Sequence, residues 1–115
     1  MIRFATIGTN FIVDWFLGGM PLCHEMEYAA VYSRSMETGK IFADKYGVQT
    51  VYDNLEDLAM DESIDAVYIA SPTYCHFQHA MMMLNHGKHV LCEKPVASNG
   101  RELELMLQAA KENDV

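Results

Sequence analysis

The sequence has no run of about 18 consecutive apolar residues, which excludes a membrane-spanning helix. Its first residues, MIRFATIG, contain one Arg and too short an apolar stretch for a secretory signal. Cysteine is scarce. Cys23, Cys75 and Cys92 are odd in number, widely spaced and form no CxxC, which argues for reduced thiols and a cytoplasmic setting. Basic residues are few as well: 8 Lys plus Arg stand against 16 Asp plus Glu, a formal net charge of -8. A surface of that sign repels nucleic-acid backbones. It still allows one small anion to be held locally by a helix N-terminus or a single Arg. Pro-rich linkers, internal repeats and low-complexity tracts are missing, so the 115 residues, half of them hydrophobic, fit one compact domain.

What is present is an alternation of short apolar runs and helical patterns. Ile2 to Ile7, ending at Gly8, suits a buried parallel strand. Residues 11 to 17 are apolar nearly all round and predict a helix buried against a sheet. Tyr28 to Tyr32 predicts a second strand, and 36 to 46 a helix stopped by Gly47 in a left-handed cap. A short strand spans Thr50 to Tyr52, and Asp53 with Glu56 makes a capping pair for the helix carrying Leu55, Leu58 and Ala59. Ala66 to Ala70 is another strand, followed by a helix over roughly 74 to 85 and a strand from His89 to Cys92. The last helix puts Leu103, Met106, Leu107 and Ala110 on one face as a buried stripe. This order means an α/β fold: a doubly wound parallel sheet with helices on both faces.

In such sheets ligands sit at the carboxyl ends of the strands, near the switch in strand order. The polar punctuation falls there: Gly8-Thr9-Asn10, Ser33-Arg34-Ser35, Ser71-Pro72-Thr73 and Glu93-Lys94-Pro95. A dinucleotide-binding turn reads GxGxxG, whereas here only the first glycine stands in the turn that runs from Gly8 through Thr9, Asn10, Phe11 and Ile12 to Val13. Gly8 permits the tight turn, Asn10 is expected to follow a similar path at positive φ, and Val13 to push the helix slightly outward. The plainer alternative is an ordinary strand-to-helix turn capped by Thr9 or Asn10. At the end of the second strand an NAD-preferring site needs an acid, but Glu27 lies at the strand's start and no acid precedes Glu37. Ser33 and Arg34 instead suit a 2′-phosphate, and the guanidinium plane can stack on adenine, so NADP is expected over NAD. The plainer alternative for Arg34 is a solvated surface residue.

With these residues in hand the sequence resembles the Gfo/Idh/MocA oxidoreductases over its whole length. The likeness lies in the IGTN turn, AVYSRS, FADKYG, IDAVYIASPTYCHFQHA and, most specifically, GKHVLCEKPVA. Asn10 in place of the family's usual second glycine is the main departure. The resemblance implies a Rossmann cofactor domain over 1–115 and hydride transfer between a nicotinamide cofactor, NAD(P), and a sugar, polyol or related carbonyl or alcohol. It implies that Lys94 stands near the nicotinamide and the substrate oxygen, where an ammonium stabilises developing negative charge. It further implies that Glu93 contacts the cofactor ribose and holds Lys94, and that Pro95 fixes the turn. Ser71, Pro72, Thr73 and His76 correspond to a loop along the cofactor, with His76 near the nicotinamide ribose and His79 turned to other contacts of its helix. Family members are two to three times longer, with a second domain that supplies the substrate pocket, an acid/base His and the surfaces of a homo-oligomer. The chain therefore reads as a truncated, cofactor-binding part that by itself turns over nothing.

Competing constellations are weaker. Cys75 and His76 are adjacent at a helix start and point apart, a poor nucleophile pair. Cys75, His76, His79, His86 and His89 follow no zinc pattern, and Met81 to Met83 read as packing. A non-enzymatic nucleotide sensor using the same rim is the contrasting function.

Overall fold

The computed structural model describes residues 1–115. Five parallel strands, β1 (Ile2–Ile7), β2 (Met26–Tyr32), β3 (Thr50–Tyr52), β4 (Ala66–Ile69) and β5 (His89–Cys92), form one sheet in the order β3-β2-β1-β4-β5. Helices α1 (Phe11–Leu17), α2 (Met36–Tyr46), α3 (Leu55–Ala59), α4 (His76–Asn85) and α5 (Gly100–Glu112) alternate with them. The strands are apolar without a break because both of their faces are covered. Ala5, Ile7, Val67 and Ile69 pack with Leu58, Ala80, Met83 and Met106 in one core. Their neighbours Phe4 and Tyr68 point the opposite way, into a second core with Val13, Leu17, Val31 and Phe42. The expected doubly wound sheet is thus the observed one. Strand order reverses between β1 and β4, which opens a crevice above their carboxyl ends.

Several local expectations change. β2 begins at Met26, two residues before Tyr28, where Glu27 pairs with Arg3 at the opposite end of the sheet from the crevice. The cap of α3 is Asn54, whose side chain accepts from the amides of Glu56 and Asp57, in place of the Asp53 and Glu56 pair. The helix expected over 74 to 85 opens as a 3₁₀ turn, Thr73–Cys75, and becomes α-helical at His76. α1 is one-sided: Val13 and Leu17, four residues apart, are buried, while Phe11 and Trp15 are 60% and 73% exposed. In α5 the buried line is Met106 and Ala109, with Leu107 63% exposed, because this helix packs chiefly on α4. Gly47 does adopt the left-handed cap, with φ 71°.

At the pole opposite the crevice Lys88 is buried. Its Nζ donates to the carbonyls of Asp61 (2.7 Å) and Ile64 (2.9 Å), which pins the loop before β4 to the start of β5. Burial lowers its pKa, and Asp61, Asp65 and Glu62 oppose that shift.

The turn after β1 also departs from expectation. Gly8 alone takes positive φ, 114°, and a Cβ there would lie 3.0 Å from the Ala70 carbonyl oxygen. Asn10 is extended, with φ -81° and ψ 176°, and acts through its side chain. Its Oδ1 accepts from the Ile12 (2.9 Å) and Val13 (3.4 Å) amides, capping α1, while Nδ2 donates to the Ala70 carbonyl at 2.7 Å. Val13 is fully buried in the second core. Asn10→Ala removes both functions and is expected to cost about 2 kcal/mol in urea unfolding. Asn10→Asp keeps the capping oxygen but cannot donate to Ala70, and should lose roughly half as much. Unchanged stability of the Asp variant would show the Ala70 bond to be dispensable.

Candidate functional site: a cleft above the strand ends

The crevice between the β1, β2 and β4 ends holds a cleft of about 460 Å³. Gly8, Thr9 and Asn10 form its floor, Ser33 and Arg34 one wall, Ser71 and Pro72 the other. The strand ends are tied beneath it: the Gly8 amide donates to Tyr32 (3.2 Å) and the Ala70 amide to Ile7 (3.0 Å). The amides of Thr9 and Asn10 have no protein acceptor, which leaves two donors at the floor. Gly8 allows a ligand and the β4 end to approach the same backbone closely.

On the β2 wall Ser33 is buried. Its amide donates to Tyr52 (3.0 Å) and its Oγ accepts from Ser35 (3.4 Å), while the Ser35 hydroxyl caps α2 at Thr38. Arg34 is exposed and pairs with no carboxylate. No Asp or Glu lines the cleft, although the chain carries a formal net charge of -8. Arg34 is its one permanently charged group.

The remaining predicted residues lie outside the cleft lining. Phe11 stacks edge-on against Trp15, with centroids 5.0 Å apart, and Ile12 packs against the second core. Thr73 opens the exposed 3₁₀ turn. His76 is only 2% exposed, with Nδ1 2.8 Å from the Pro95 carbonyl oxygen and Nε2 2.8 Å from that of Ser71. Both ring nitrogens therefore face backbone carbonyl oxygens, and a neutral ring donates to one of them at a time. His76 thereby stands between the loop after β4 and the turn after β5. The same geometry closes the Cys75–His76 nucleophile reading.

Glu93 continues the β5 ladder, its amide donating to Ile69 at 2.9 Å. Its carboxylate accepts from the Tyr68 hydroxyl at 2.6 Å and makes no contact with Lys94, so Tyr68, and not Lys94, is the side chain that it holds. Burial, followed by the Glu93 bond, raises the Tyr68 pKa. Lys94 is exposed, without a hydrogen-bond or ion-pair partner, and the Lys94–Pro95 peptide is cis. Burial, then Glu93, pushes the neighbouring Cys92 thiol up to about 11, so it stays protonated at neutral pH.

The cleft also contains Tyr32, Thr38, Cys75 and, above all, His79, which were not expected to line it. The signal for His79 was present in the spacing of its helix. His76, Ala80, Met83 and Leu84 recur at i, i+4, i+7 and i+8 and are buried, which turns His76 inward. Cys75 and His79, four apart, share the side that meets the cleft. His79 Nδ1 lies 2.8 Å from the Ser71 Oγ, and its ring meets Tyr32 edge-on.

Comparison with known proteins places this geometry. Residues 2–115 match the family model described as "Oxidoreductase family, NAD-binding Rossmann fold". The chain is 50% identical, over its full length, to the scyllo-inositol 2-dehydrogenase (NADP(+)) IolU of Bacillus subtilis (strain 168), of which it covers 35%. It is 44% identical over its full length to the uncharacterized oxidoreductase YgjR of Escherichia coli (strain K12), again covering 35%. Among solved structures, the Y186F mutant of KijD10, a 3-ketoreductase from Actinomadura kijaniata in complex with TDP-benzene and NADP, superposes with TM-score 0.90 at 29% identity. That match covers 99% of this chain and 35% of the KijD10 chain. The chain thus spans about a third of the length of the relatives it matches. With its strand order, its Gly8 turn and a match from end to end, the chain belongs to the Gfo/Idh/MocA oxidoreductase family, as an NAD(P)-binding Rossmann domain.

Proposed function

We propose that the chain is the cofactor-binding part of an oxidoreductase that uses NADP(H) in preference to NAD(H). The intact protein moves hydride between the nicotinamide cofactor and a sugar, polyol or related carbonyl or alcohol. The observation that carries the cofactor preference is the cleft itself: it has no carboxylate, and Arg34 stands unpaired at the end of β2. A 2′-hydroxyl calls for an acid there, whereas a 2′-phosphate calls for a cation and repels acids. The NADP(+) in the name of the Bacillus subtilis relative and the NADP in the KijD10 complex support the same choice. The inositol dehydrogenase and ketoreductase names of these relatives support a polyhydroxylated substrate.

The residues present fit the cofactor. Gly8 has no Cβ to fill the space beside Ala70, and the free Thr9 and Asn10 amides suit the pyrophosphate. Arg34, with the hydroxyls of the Ser33–Ser35 turn around it, would hold the 2′-phosphate, and Ser71 and Pro72 would flank the nucleotide. Bound there, the nicotinamide gives or accepts hydride. Lys94, exposed on the β5 turn, supplies an ammonium to the substrate oxygen as charge develops on it. Glu93, oriented by Tyr68, stands beside it for a ribose contact. Three free thiols and the acidic surface support a cytoplasmic setting without nucleic-acid partners.

Calorimetric titration tests the cofactor. The chain should bind NADPH more tightly than NADH, and Arg34→Ala should weaken NADPH about tenfold or more while changing NADH by no more than about threefold. Equal affinity of the unsubstituted chain for both nucleotides would remove the 2′-phosphate assignment. In the intact protein, Lys94→Ala is expected to lower kcat by roughly a hundred- to a thousandfold with little change in cofactor affinity. Near-normal turnover would remove the catalytic role of Lys94, and binding without any turnover in the parent would favour a nucleotide sensor.

A further inference from the structure

Two side chains that can carry positive charge border the cleft, Arg34 on the β2 wall and His79 on the α4 wall. His79 is half-buried and held on two sides. Its Nδ1 lies 2.8 Å from the Ser71 Oγ, and its ring stands edge-on to Tyr32, centroids 6.0 Å apart. Ser71 is itself fixed, since His76 takes up its carbonyl. His79 Nε2 has no hydrogen-bond partner, yet no buried side-chain nitrogen or oxygen lacks one, so Nε2 is open to solvent on a residue that lines the cleft. The ring is thus preorganised with one polar atom left for a ligand.

We propose that His79 is a second recognition residue for the dinucleotide, donating from Nε2 to a phosphate of its adenosine half and taking up a proton from solvent as that phosphate binds. This inference rests on the reading of the cleft as an NADP(H) site. The groups that face His79 are Tyr32 from β2, Ser71 from the loop after β4, Cys75 and His76 from its own helix, and Arg34 from the opposite wall. None is a carboxylate. Burial, followed by the proximity of His76, holds the His79 pKa below the usual histidine value, so the ring is neutral at pH 7 in the free protein. A phosphate reverses the balance, because it favours the charged ring. Linkage makes the effect reciprocal: the ligand raises the His79 pKa, and a proton on His79 tightens the ligand. Affinity therefore rises as pH falls through the ligand-bound pKa and levels off below the free one.

Two measurements test this on the full chain. The first follows the His79 ring resonances by NMR with and without saturating NADPH, a readout that a packing role would not move. The second follows NADPH and NADH affinity between about pH 5.5 and 8.5 for the unsubstituted protein, His79→Gln and His79→Phe. The Gln variant keeps a polar partner for Ser71 and the Phe variant keeps a ring against Tyr32, so a folding defect in one leaves the other. NADPH is expected to raise the His79 midpoint by about one pH unit, which is about a tenfold gain in affinity on the acid side. Both variants should lose most of that gain. The 2′-phosphate titrates near pH 6 itself, so the comparison is always between the unsubstituted and substituted proteins. A gain confined to NADPH assigns the contact to the 2′-phosphate, and one shared with NADH assigns it to the pyrophosphate. A midpoint that NADPH leaves in place, with variants that keep the parent's pH profile, overturns the proposal. If Arg34→Ala abolishes an NADPH preference while the His79 midpoint stays fixed, His79 alone is removed and the cofactor reading stands. Failure of both nucleotides to bind at any pH removes both.

Discussion

The cleft depends on the β4 end being tied to the turn after β1, and the tie is a side chain. A carbonyl at the end of a strand has left its ladder and needs a donor from elsewhere. At Ala70 that donor is the Asn10 amide, 2.7 Å away, while the same side chain caps α1 through its oxygen. One residue thus ends β4, starts α1 and closes the turn above Gly8. A glycine at this position would give the backbone freedom without supplying either hydrogen bond. The family's glycine-rich turn is met here by a different physical solution, in which Gly8 alone carries the unusual backbone and Asn10 the rigidity.

Charge is arranged around this floor. The chain is strongly acidic, yet acids such as Glu25, Glu27, Glu62 and Asp65 stand by the opposite ends of the strands, where Arg3 and Lys88 meet part of that charge. The cleft has none. Since exposed charges more than about 10 Å apart are screened at ordinary salt, the local absence of acids matters more for an anion than the net charge does. An acidic protein can therefore present a site fitted to a phosphorylated ligand without any basic patch.

Much of this was legible in the sequence, and the misses share a cause. Strand positions, parallel order and the convergence of four strand ends follow from apolar runs and short links, which depend on composition over several residues. Faces and caps depend on single side chains. Asn54 and not Asp53 caps α3, and Asn10 stays out of positive φ, because in each case the asparagine's own side chain accepts from the first amides of the following helix. α1 looks apolar all round, but a helix of seven residues meets the sheet on one side only, so Phe11 and Trp15 are left outside. The spacing of the buried residues in α4 turns His76 inward and leaves His79 at the cleft lining.

Those two histidines, three residues apart, show how the site is joined. His76 spans the Ser71 and Pro95 carbonyls, and the Ser71 hydroxyl reaches His79. Close polar contacts therefore link the turn that carries Lys94, through buried His76 and Ser71, to the wall of the cleft. Each contact is about 2.8 Å and the central ring is almost fully enclosed, so moving the two rim loops apart would take a carbonyl away from a buried imidazole nitrogen. That contact fixes the backbone at Pro95, while the Lys94 side chain is free. The backbone beside Lys94 is then held by the buried imidazole beneath the loops, and the exposed lysine needs no side-chain partner for that.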